Sequence, residues 1–353
     1  MPAHISYPSI DQFRNLIRTI EQKYTYKQDA TGEWVKDPLA VMPTLTFNAS
    51  VKLHGTNASV VVSPENEQYA QSRRNLITVE KDNAGFATWH SQERIKDIFG
   101  FARALIEDKY PAIIGKTIVF YGEWAGKGIA KGVSVNDLPK FFYLFGIKVV
   151  EPEEGVSNWW MKDYPEMRAH NAGIYDARDY YDRTFDINFN NPSKVHNDIV
   201  KAVQAVEDEC PVGLAIKKEL GIEAEHHIGE GLVLSYITEE GELYQFKAKG
   251  QKHSTSKTKT ISPIDVELLA DIESFVEYAV TPNRCQQMFE ENCELDFNIR
   301  EMGVFIKAVS SDIVKEESDV LAANGLTMRD VGGKLSKTAR NWFLKEMNDG
   351  MGL

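Results

Sequence analysis

One ten-residue stretch limits the folds open to this chain more than any other part of it. In TLTFNASVKL, residues 44–53, polar and apolar side chains alternate without exception, and His54 continues the polar row. Successive side chains of a strand point to opposite faces of the sheet, so the pattern predicts a strand with one buried face. Lys52 and His54 then share the polar face, just before a turn at Gly55. Alone, this fits an ordinary surface lysine as well as a nucleophilic lysine lining a nucleotide pocket.

Composition sets the broad class of protein. The 353 residues are enough for two domains, and 42% hydrophobic with 26% charged residues is typical of a soluble globular protein. No apolar run is long enough to cross a bilayer, and residues 1–10 do not resemble a secretory signal. The three cysteines, which lack metal-site spacing, indicate free thiols in a reducing cytoplasm, that of the host if the chain is viral.

The charge of the chain is unevenly distributed. A net charge of −12 argues against a protein coated for nucleic-acid binding, but residues 247–260 contain five lysines and no acidic residue. Such a run is most often a solvated surface. A local basic strip is also what contacts phosphates, and overall acidity does not exclude one.

The pattern of predicted elements divides the chain in two. Strands are predicted at 44–53, 58–63, 116–124, 141–150, 231–237 and 243–249, with amphipathic helices at 91–110 and 193–209. Ser9 and Gln12 have the spacing of a capping box and predict an N-terminal helix. After residue 261 only helices are predicted, including 299–324 and one opened by Thr327 and Asp330. We therefore expect an α+β domain over 1–249, a lysine-rich linker over 250–261 and an all-α domain over 262–353.

Several charged side chains lie at ends of predicted strands, where a buried strand disfavours them. They are Glu123, Glu230, Lys247 and Lys249, in addition to Lys52. Such a set suits attack by a lysine amine on a nucleoside triphosphate. Neutralising a lysine at pH 7 costs about 4.6 kcal/mol, and neighbouring cations, a bound metal and desolvation all lower that cost. One glutamate could hold a divalent metal and another could bind a ribose hydroxyl, while the run FFYLF, 141–145, offers a ring for a purine.

These residues occur in motifs that resemble a known family. KLHGTN (52–57) resembles the Lys-x-x-Gly motif of covalent nucleotidyltransferases, in the form found in ATP-dependent RNA ligases of the phage RNA ligase 2 family. The family's other motifs follow in order: SRRNLI (72–77), FYGEWAGKGI (120–129), FFYLFGI (141–147), GEGLVL (229–234) and FKAKGQKHS (246–254). The resemblance covers residues 40–260, and the helical part more loosely. It implies a nucleotidyltransferase core of antiparallel sheets with flanking helices, followed by a small helical domain.

The resemblance also implies roles for the central residues. Lys52 would carry AMP through a phosphoramide bond, and His54 would assist that first step. Glu123 would bind the ribose, and Glu230 would assist binding of Mg²⁺ or Mn²⁺.

It further implies contacts to the nucleotide. The backbone of Val51 and Leu53 would border the adenine, and Phe142 would stack on it, with the adjacent Phe141 as the alternative. Asn57 and Arg73 would serve AMP and the incoming 5′-phosphate. Lys247 and Lys249 would contact phosphates.

The function expected from the resemblance is ATP-dependent sealing of RNA ends that carry a 3′-hydroxyl and a 5′-phosphate, with a nicked duplex as substrate, in RNA repair. A DNA ligase or a capping guanylyltransferase shares several motifs, but their usual OB domain is β-rich, whereas residues 262–353 read as helical. A non-catalytic RNA-binding protein would not need a lysine and two glutamates at the ends of its strands.

We expect a monomer that binds no membrane. In the last predicted helix, Lys334, Lys337 and Arg340 lie away from the apolar side and are predicted to contact RNA phosphates.

Overall fold

The fold is described from a computed structural model. It describes residues 3–29, 31–37, 39–152, 158–253, 272–293 and 298–350. The chain forms two units: the first contains residues 1–10 and 15–248, and the second contains residues 11–14 and 249–353. Of the lysine-rich linker predicted over 250–261, residues 254–261 lie outside the described residues, as do residues 262–271 of the predicted helical domain.

The helices and strands are as follows, in chain order: β1 (Asp11–Gln12), α1 (Phe13–Thr25), β2 (Tyr26–Gln28), β3 (Trp34–Lys36), β4 (Thr44–Lys52), β5 (Thr56–Val62), β6 (Gln68–Ser72), β7 (Leu76–Ile77), α2 (Phe86–His90), α3 (Glu93–Lys109), β8 (Thr117–Ala125), β9 (Phe141–Val150), β10 (Trp159–Trp160), β11 (Ile174–Asp176), β12 (Arg183–Asn188), α4 (His196–Asp208), α5 (Pro211–Leu220), β13 (Gly231–Ile237), β14 (Leu243–Lys249), α6 (Ile272–Ala279), α7 (Pro282–Asn292), α8 (Met302–Ala323) and α9 (Met328–Gly350).

Two sheets organise the first unit. One contains the strand order β14-β13-β4-β12, in which β4 is antiparallel to both neighbours. The other has the order β10-β9-β8-β5-β6-β7. Its neighbouring strands are antiparallel, but β11 pairs with β9 in parallel, so the second sheet is mixed. The α+β class with antiparallel sheets is confirmed, and the one parallel pairing, of β11 with β9, makes the second sheet mixed.

Strand β4 has the alternation that its sequence predicts. Its apolar side chains, Leu45, Phe47, Ala49 and Val51, are buried, as is Leu53 beyond its end, while the polar side chains between them are exposed or half-buried. Lys52 is the last residue of β4 and lies opposite Gly231, the first residue of β13. This register brings the ends of two motifs that are far apart in sequence to one end of the sheet.

The second sheet packs one face against α3. Phe99 and Ile106 of that helix and Phe120, Trp124 and Phe142 of β8 and β9 belong to one buried cluster. Because side chains alternate along β8, Tyr121 and Glu123 point to the opposite face. Tyr121 packs there with Val61, Val119 and Trp160.

The second unit is helical from residue 272 onward in the part of it that is described. Its core is formed by apolar side chains of α6 to α9, including Phe275, Phe289, Phe305, Ile313, Leu335 and Phe343. The fully buried Arg284 forms ion pairs with Asp312 and Glu317, each at 2.8 Å. Thr327 and Asp330 bond to each other at the start of α9, as their spacing predicts.

The N-terminal helix begins later than predicted. Ser9 does not cap it; residues 11 and 12 are extended, and α1 starts at Phe13. The Gln12 side chain, which the predicted capping box needs, donates instead to Oε2 of Glu316 at 2.8 Å. A buried partner elsewhere in the unit therefore overrides the local capping signal. Among the described residues, no helix combines the length and apolarity that crossing a membrane requires.

Candidate active site

The centre of the site is an ion pair between the two motifs that the β4–β13 register brings together. Lys52 Nζ lies 2.7 Å from Oε2 of Glu230. Glu230 immediately precedes β13, which places its side chain at the end of the sheet beside Lys52. The Lys52 side chain is 21% exposed and that of Glu230 only 5%, so the pair opens to solvent on the lysine side.

The turn after β4 brings a second carboxylate close to the first. The backbone N–H of Gly55 donates to Oε1 of Glu123 at 3.1 Å. A Cβ at Gly55 would lie 2.5 Å from the carbonyl oxygen of Trp124, so only glycine fits this close approach. Asn57 pairs directly with Glu123 across β5 and β8, which places both side chains on one face of the sheet.

The charges around Glu123 are coupled. Burial raises the pKa of Glu123 to about 7, the negative charge of Glu230 adds to the rise, and the positive charges of Lys52 and His54 oppose it. The carboxylate of Glu123 is thus partly desolvated and lies within reach of a second carboxylate, an amine and an imidazole. Such perturbation is common at catalytic sites.

This arrangement suits chemistry on a phosphate ester. Lys52 supplies a primary amine on a strand end, where its position is fixed by the sheet. Glu230 supplies a buried carboxylate that already receives a cation, the Lys52 ammonium, and carboxylate oxygens are also the ligands preferred by Mg²⁺. The donor set therefore fits a divalent metal at Glu230. Glu123 and Asn57 offer hydrogen-bonding groups on the neighbouring sheet.

The structure does not bring Phe142 to this site. Its side chain is fully buried, and its ring stacks on Phe86 and Trp89 in the cluster against α3. That cluster lies on the face of the sheet opposite Glu123. Phe141 is also buried and contacts Tyr175 edge to face. Phe141 pairs with Ala125 of β8, two residues after Glu123, so its side chain shares the face of the sheet that carries Glu123.

The remaining predicted residues of the first unit lie around the same strand ends. His54 is half-buried in the turn after β4, while Val51 and Leu53 point into the core and contribute backbone alone to the polar face. Arg73 is exposed in the turn that follows β6, one residue after Ser72, which pairs with Ala58. Lys247 is half-buried on β14.

Lys249 and the predicted RNA-binding residues belong to the second unit. Lys249 is only 9% exposed and donates from Nζ to Oε1 of Gln287 in α7 at 2.9 Å. On α9, the side chains of Lys334, Lys337 and Arg340 are exposed, opposite the buried Leu335 and Ala339. Lys334 also forms an ion pair with Glu273 at 2.6 Å.

Sequence reasoning missed two groups of residues near the site. The first is the N-terminal segment: Tyr7 donates to Oε1 of Gln245 at 2.6 Å, and Tyr121 donates to the carbonyl of Ile5 at 2.8 Å. Burial raises the pKa of Tyr7, which also senses the charge of Glu123. The second is a buried ion pair between Asp137 and Lys217 at 2.6 Å. No local pattern marks either group, since their partners are distant in sequence.

Comparison with solved structures gives matches to an RNA ligase of Naegleria gruberi. A mutant with ATP and Mn is 17% identical, with a TM-score of 0.38, and the match covers 71% of this chain and 57% of that one. A mutant with AMP and Mn and a structure with PPi are each 18% identical, with TM-scores of 0.38, covering 71% of this chain and 58% of theirs. The match thus spans less than two thirds of those chains. No curated protein matches this sequence.

A family model adds evidence of a different kind. The model of the RNA ligase family matches residues 45–249, which is more than half of the chain. The matched range begins in β4 and ends with β14, so it contains Lys52, Glu123, Glu230 and Lys247. The chain therefore belongs to the RNA ligase family.

Proposed function

We propose that this protein is an ATP-dependent RNA ligase that joins a 3′-hydroxyl to a 5′-phosphate through a covalent lysyl-AMP. The observation that carries the proposal is the contact of Lys52 with Glu230, made by a chain that belongs to the RNA ligase family. The contact joins the Lys-x-x-Gly and Glu-Gly motifs, 178 residues apart, at one end of a sheet.

The first step in this proposal is self-adenylation. The neutral amine of Lys52 attacks the α-phosphorus of ATP, the bond to the β-phosphate oxygen breaks, pyrophosphate leaves and the amine loses a proton. AMP then passes to the 5′-phosphate of RNA, and the 3′-hydroxyl displaces AMP as the phosphodiester forms. His54, beside the lysine, assists the first step, while Glu123 and Asn57 hold the nucleotide.

The ion pair with Glu230 favours the charged form of Lys52, which cannot attack. A divalent cation held by Glu230 would compete with the ammonium for that carboxylate, favour the neutral amine and offset phosphate charge. Lys247 and Arg73 supply further positive charge for phosphates. For adenine, we propose the backbone of Val51 and Leu53 as a border. Because Phe142 packs in the cluster against α3, we propose the alternative ring, Phe141 on the face of Glu123, as the one that stacks on the base.

The division of labour follows the motifs. We assign self-adenylation to the first unit, and RNA docking to the exposed cations of α9, namely Lys334, Lys337 and Arg340, with Lys249 near the boundary contacting phosphate. We expect a nicked duplex as substrate and a monomeric enzyme. The RNA backbone would be recognised through its charge and not its sequence.

The test is a joining assay with matched substrates. A nicked RNA duplex with a labelled 5′-phosphate and a 3′-hydroxyl is incubated with protein, ATP and Mg²⁺, and the products are separated on a denaturing gel. We expect a joined strand and an intermediate one AMP longer than the substrate. Substrates with a 5′-hydroxyl, or a DNA duplex of the same sequence, serve as controls. Joining of the DNA nick alone would refute the assignment.

A further inference from the structure

Glu230 lies at the end of a segment without helix or strand. Residues 221–230 connect α5 to β13, and alternate side chains of this segment are exposed. Such a connection is normally mobile, because few contacts restrain its backbone. Yet the site requires the Glu230 carboxylate to lie beside Lys52. The backbone of residues 221–230 must therefore be fixed by contacts with neighbouring elements.

A buried aspartate holds the middle of this segment. Oδ2 of Asp137, in the loop between β8 and β9, accepts hydrogen bonds from the backbone N–H groups of Glu225 at 3.0 Å and His226 at 2.9 Å. Oδ1 lies 2.5 Å from Nδ1 of His226. Three bonds from two successive residues thus converge on one carboxylate, which fixes the backbone at that point.

Lys217 of α5 completes the arrangement from the other side. Its Nζ lies 2.6 Å from Oδ2 of Asp137, 2.5 Å from the carbonyl oxygen of His226 and 3.1 Å from Oγ of Ser134. The side chains of Lys217 and Asp137 are only 2% and 6% exposed. The buried Lys217 ammonium is thus paired with the Asp137 carboxylate and hydrogen-bonded to two further oxygens, as the burial of a charged group requires.

Backbone hydrogen bonds also fix the part of the segment between His226 and Glu230. The backbone of Ser134 donates to the carbonyl of Ile228 at 2.8 Å, and Gly229 donates to the carbonyl of Val206 at 3.1 Å. A Cβ at Gly229 would lie 2.4 Å from the same carbonyl oxygen, so the chain is pressed against α4 immediately before Glu230. Residues 225, 226, 228 and 229 are therefore each tied to a neighbouring element.

A metal centre is the other way to interpret this cluster. Asp137, Glu225 and His226 have ligand atoms close enough to share an ion. However, the Lys217 ammonium already supplies the positive charge at Asp137, and both oxygens of Asp137 accept hydrogen bonds. Although burial opposes it, the bonds from Lys217 and His226 hold the pKa of Asp137 below its usual range. The cluster is complete without a metal.

We infer that Asp137 and Lys217 are positioning residues for adenylation: they clamp the segment 221–230 so that Glu230 meets Lys52. The inference rests on the proposed function. Neither residue touches the reacting atoms, and they act through the backbone of the segment. A displacement of about 1 Å at a catalytic group can cost up to a hundredfold in rate, which makes such a clamp consequential.

The test is single-turnover self-adenylation of full-length Asp137→Asn with labelled ATP. The amplitude of the reaction reports the folded fraction, while its rate constant at saturating ATP and Mg²⁺ reports the geometry of the site. We expect the rate constant to fall about tenfold or more, as for loss of residues that orient catalytic groups, with little change in ATP affinity. The Mg²⁺ concentration for half-maximal rate should rise.

Asp176→Asn is the matched control. Asp176 is likewise an ion-paired aspartate with a buried side chain, 1% exposed and 2.6 Å from Arg178, but it contacts no residue of the segment 221–230 in the described hydrogen bonds. The Asp176→Asn substitution should lower the stability of the protein and the amplitude of self-adenylation, while the rate constant stays within about twofold of wild type. An equal fall in rate constant in both variants would overturn the inference, as would a normal rate in Asp137→Asn.

His226→Ala keeps the test decisive if Asp137→Asn fails to fold. This change removes one bond to Asp137 and leaves both backbone bonds, so the rate constant should fall about threefold. A rate equal to wild type in a folded His226→Ala protein would overturn the clamp. If wild-type protein forms no adduct at all, the proposed function itself fails, which separates the two outcomes.

Discussion

Replacing Glu123 by glutamine should stabilise the ATP-free protein increasingly as pH rises above 4.5, with the full effect reached above pH 7, and leave it unchanged near pH 4. Burial, reinforced by Glu230, raises the pKa of Glu123 from 4.5 to about 7 in the folded chain. Folding therefore favours the protonated carboxyl, and the stability gained in that form is complete below pH 4.5 and lost as pH rises through 7. Glutamine mimics the protonated carboxyl and can still accept the hydrogen bond from Gly55.

The magnitude follows from the two pKa values. At about 1.4 kcal/mol per unit, the difference of 2.5 units amounts to about 3 kcal/mol at pH 8, about 2 kcal/mol at pH 6 and almost nothing at pH 4. Urea unfolding of wild type and Glu123→Gln, followed by tryptophan fluorescence across this range, measures the difference. Glu209→Gln, an exposed control, should change the free energy of unfolding by no more than about 0.5 kcal/mol.

A pH-independent difference between Glu123→Gln and wild type would refute this reasoning. It would mean that the carboxylate of Glu123 is as well solvated in the folded protein as in the unfolded chain. A difference of opposite sign, with the glutamine variant weaker at pH 8, would mean that Lys52 and His54 stabilise the carboxylate more than burial destabilises it.

Three further predictions concern the division of labour and the metal. A fragment ending near residue 260 should still form the lysyl-AMP, because it keeps the matched range 45–249, but it should join RNA poorly; a folded fragment without adduct would contradict this. Changing Lys337 and Arg340 to alanine should weaken RNA binding and reduce the salt slope by about two, with self-adenylation intact. The exposed control Lys307→Ala should leave the salt slope unchanged, and an equal loss per charge in this control would contradict the assignment. Chelation of divalent metal should abolish adduct formation, and Mg²⁺ or Mn²⁺ should restore it; an adduct formed in excess chelator would exclude a metal role at Glu230.

The sequence predicts the parts of the site that depend on a single strand. Alternation along β4 is enough to place Lys52 on the polar face, since each side chain's direction follows from its neighbours. The ends of β8 and β13 follow in the same way and place Glu123 and Glu230 at strand termini. The sequence does not reveal which strands pair with each other. It also does not predict β12, the neighbour of β4, because the alternation of polar and apolar residues there spans only six residues.

The structure places Phe142 on the face opposite Glu123 for a reason that a single strand cannot reveal. The pairing of β8 with β9 shifts register between Tyr121 and Gly122, so Gly122 faces Leu144 directly after Tyr121 faces Gly146. Phe142 then pairs with Trp124, and its ring lies over Gly122 on the core side. Asp137 and Lys217 show the same limit, because a contact between residues 80 positions apart leaves no local pattern.

Labelling with ATP that carries ³²P at the α-phosphate tests the central claim most directly. Wild-type protein should acquire label that survives a denaturing gel. Lys52→Ala should acquire none, and Lys52→Arg should also fail, because a guanidinium stays protonated and cannot attack. The lysine at position 81, which is exposed, provides the control, and Lys81→Ala should label normally. A labelled adduct in Lys52→Ala or Lys52→Arg would contradict the account.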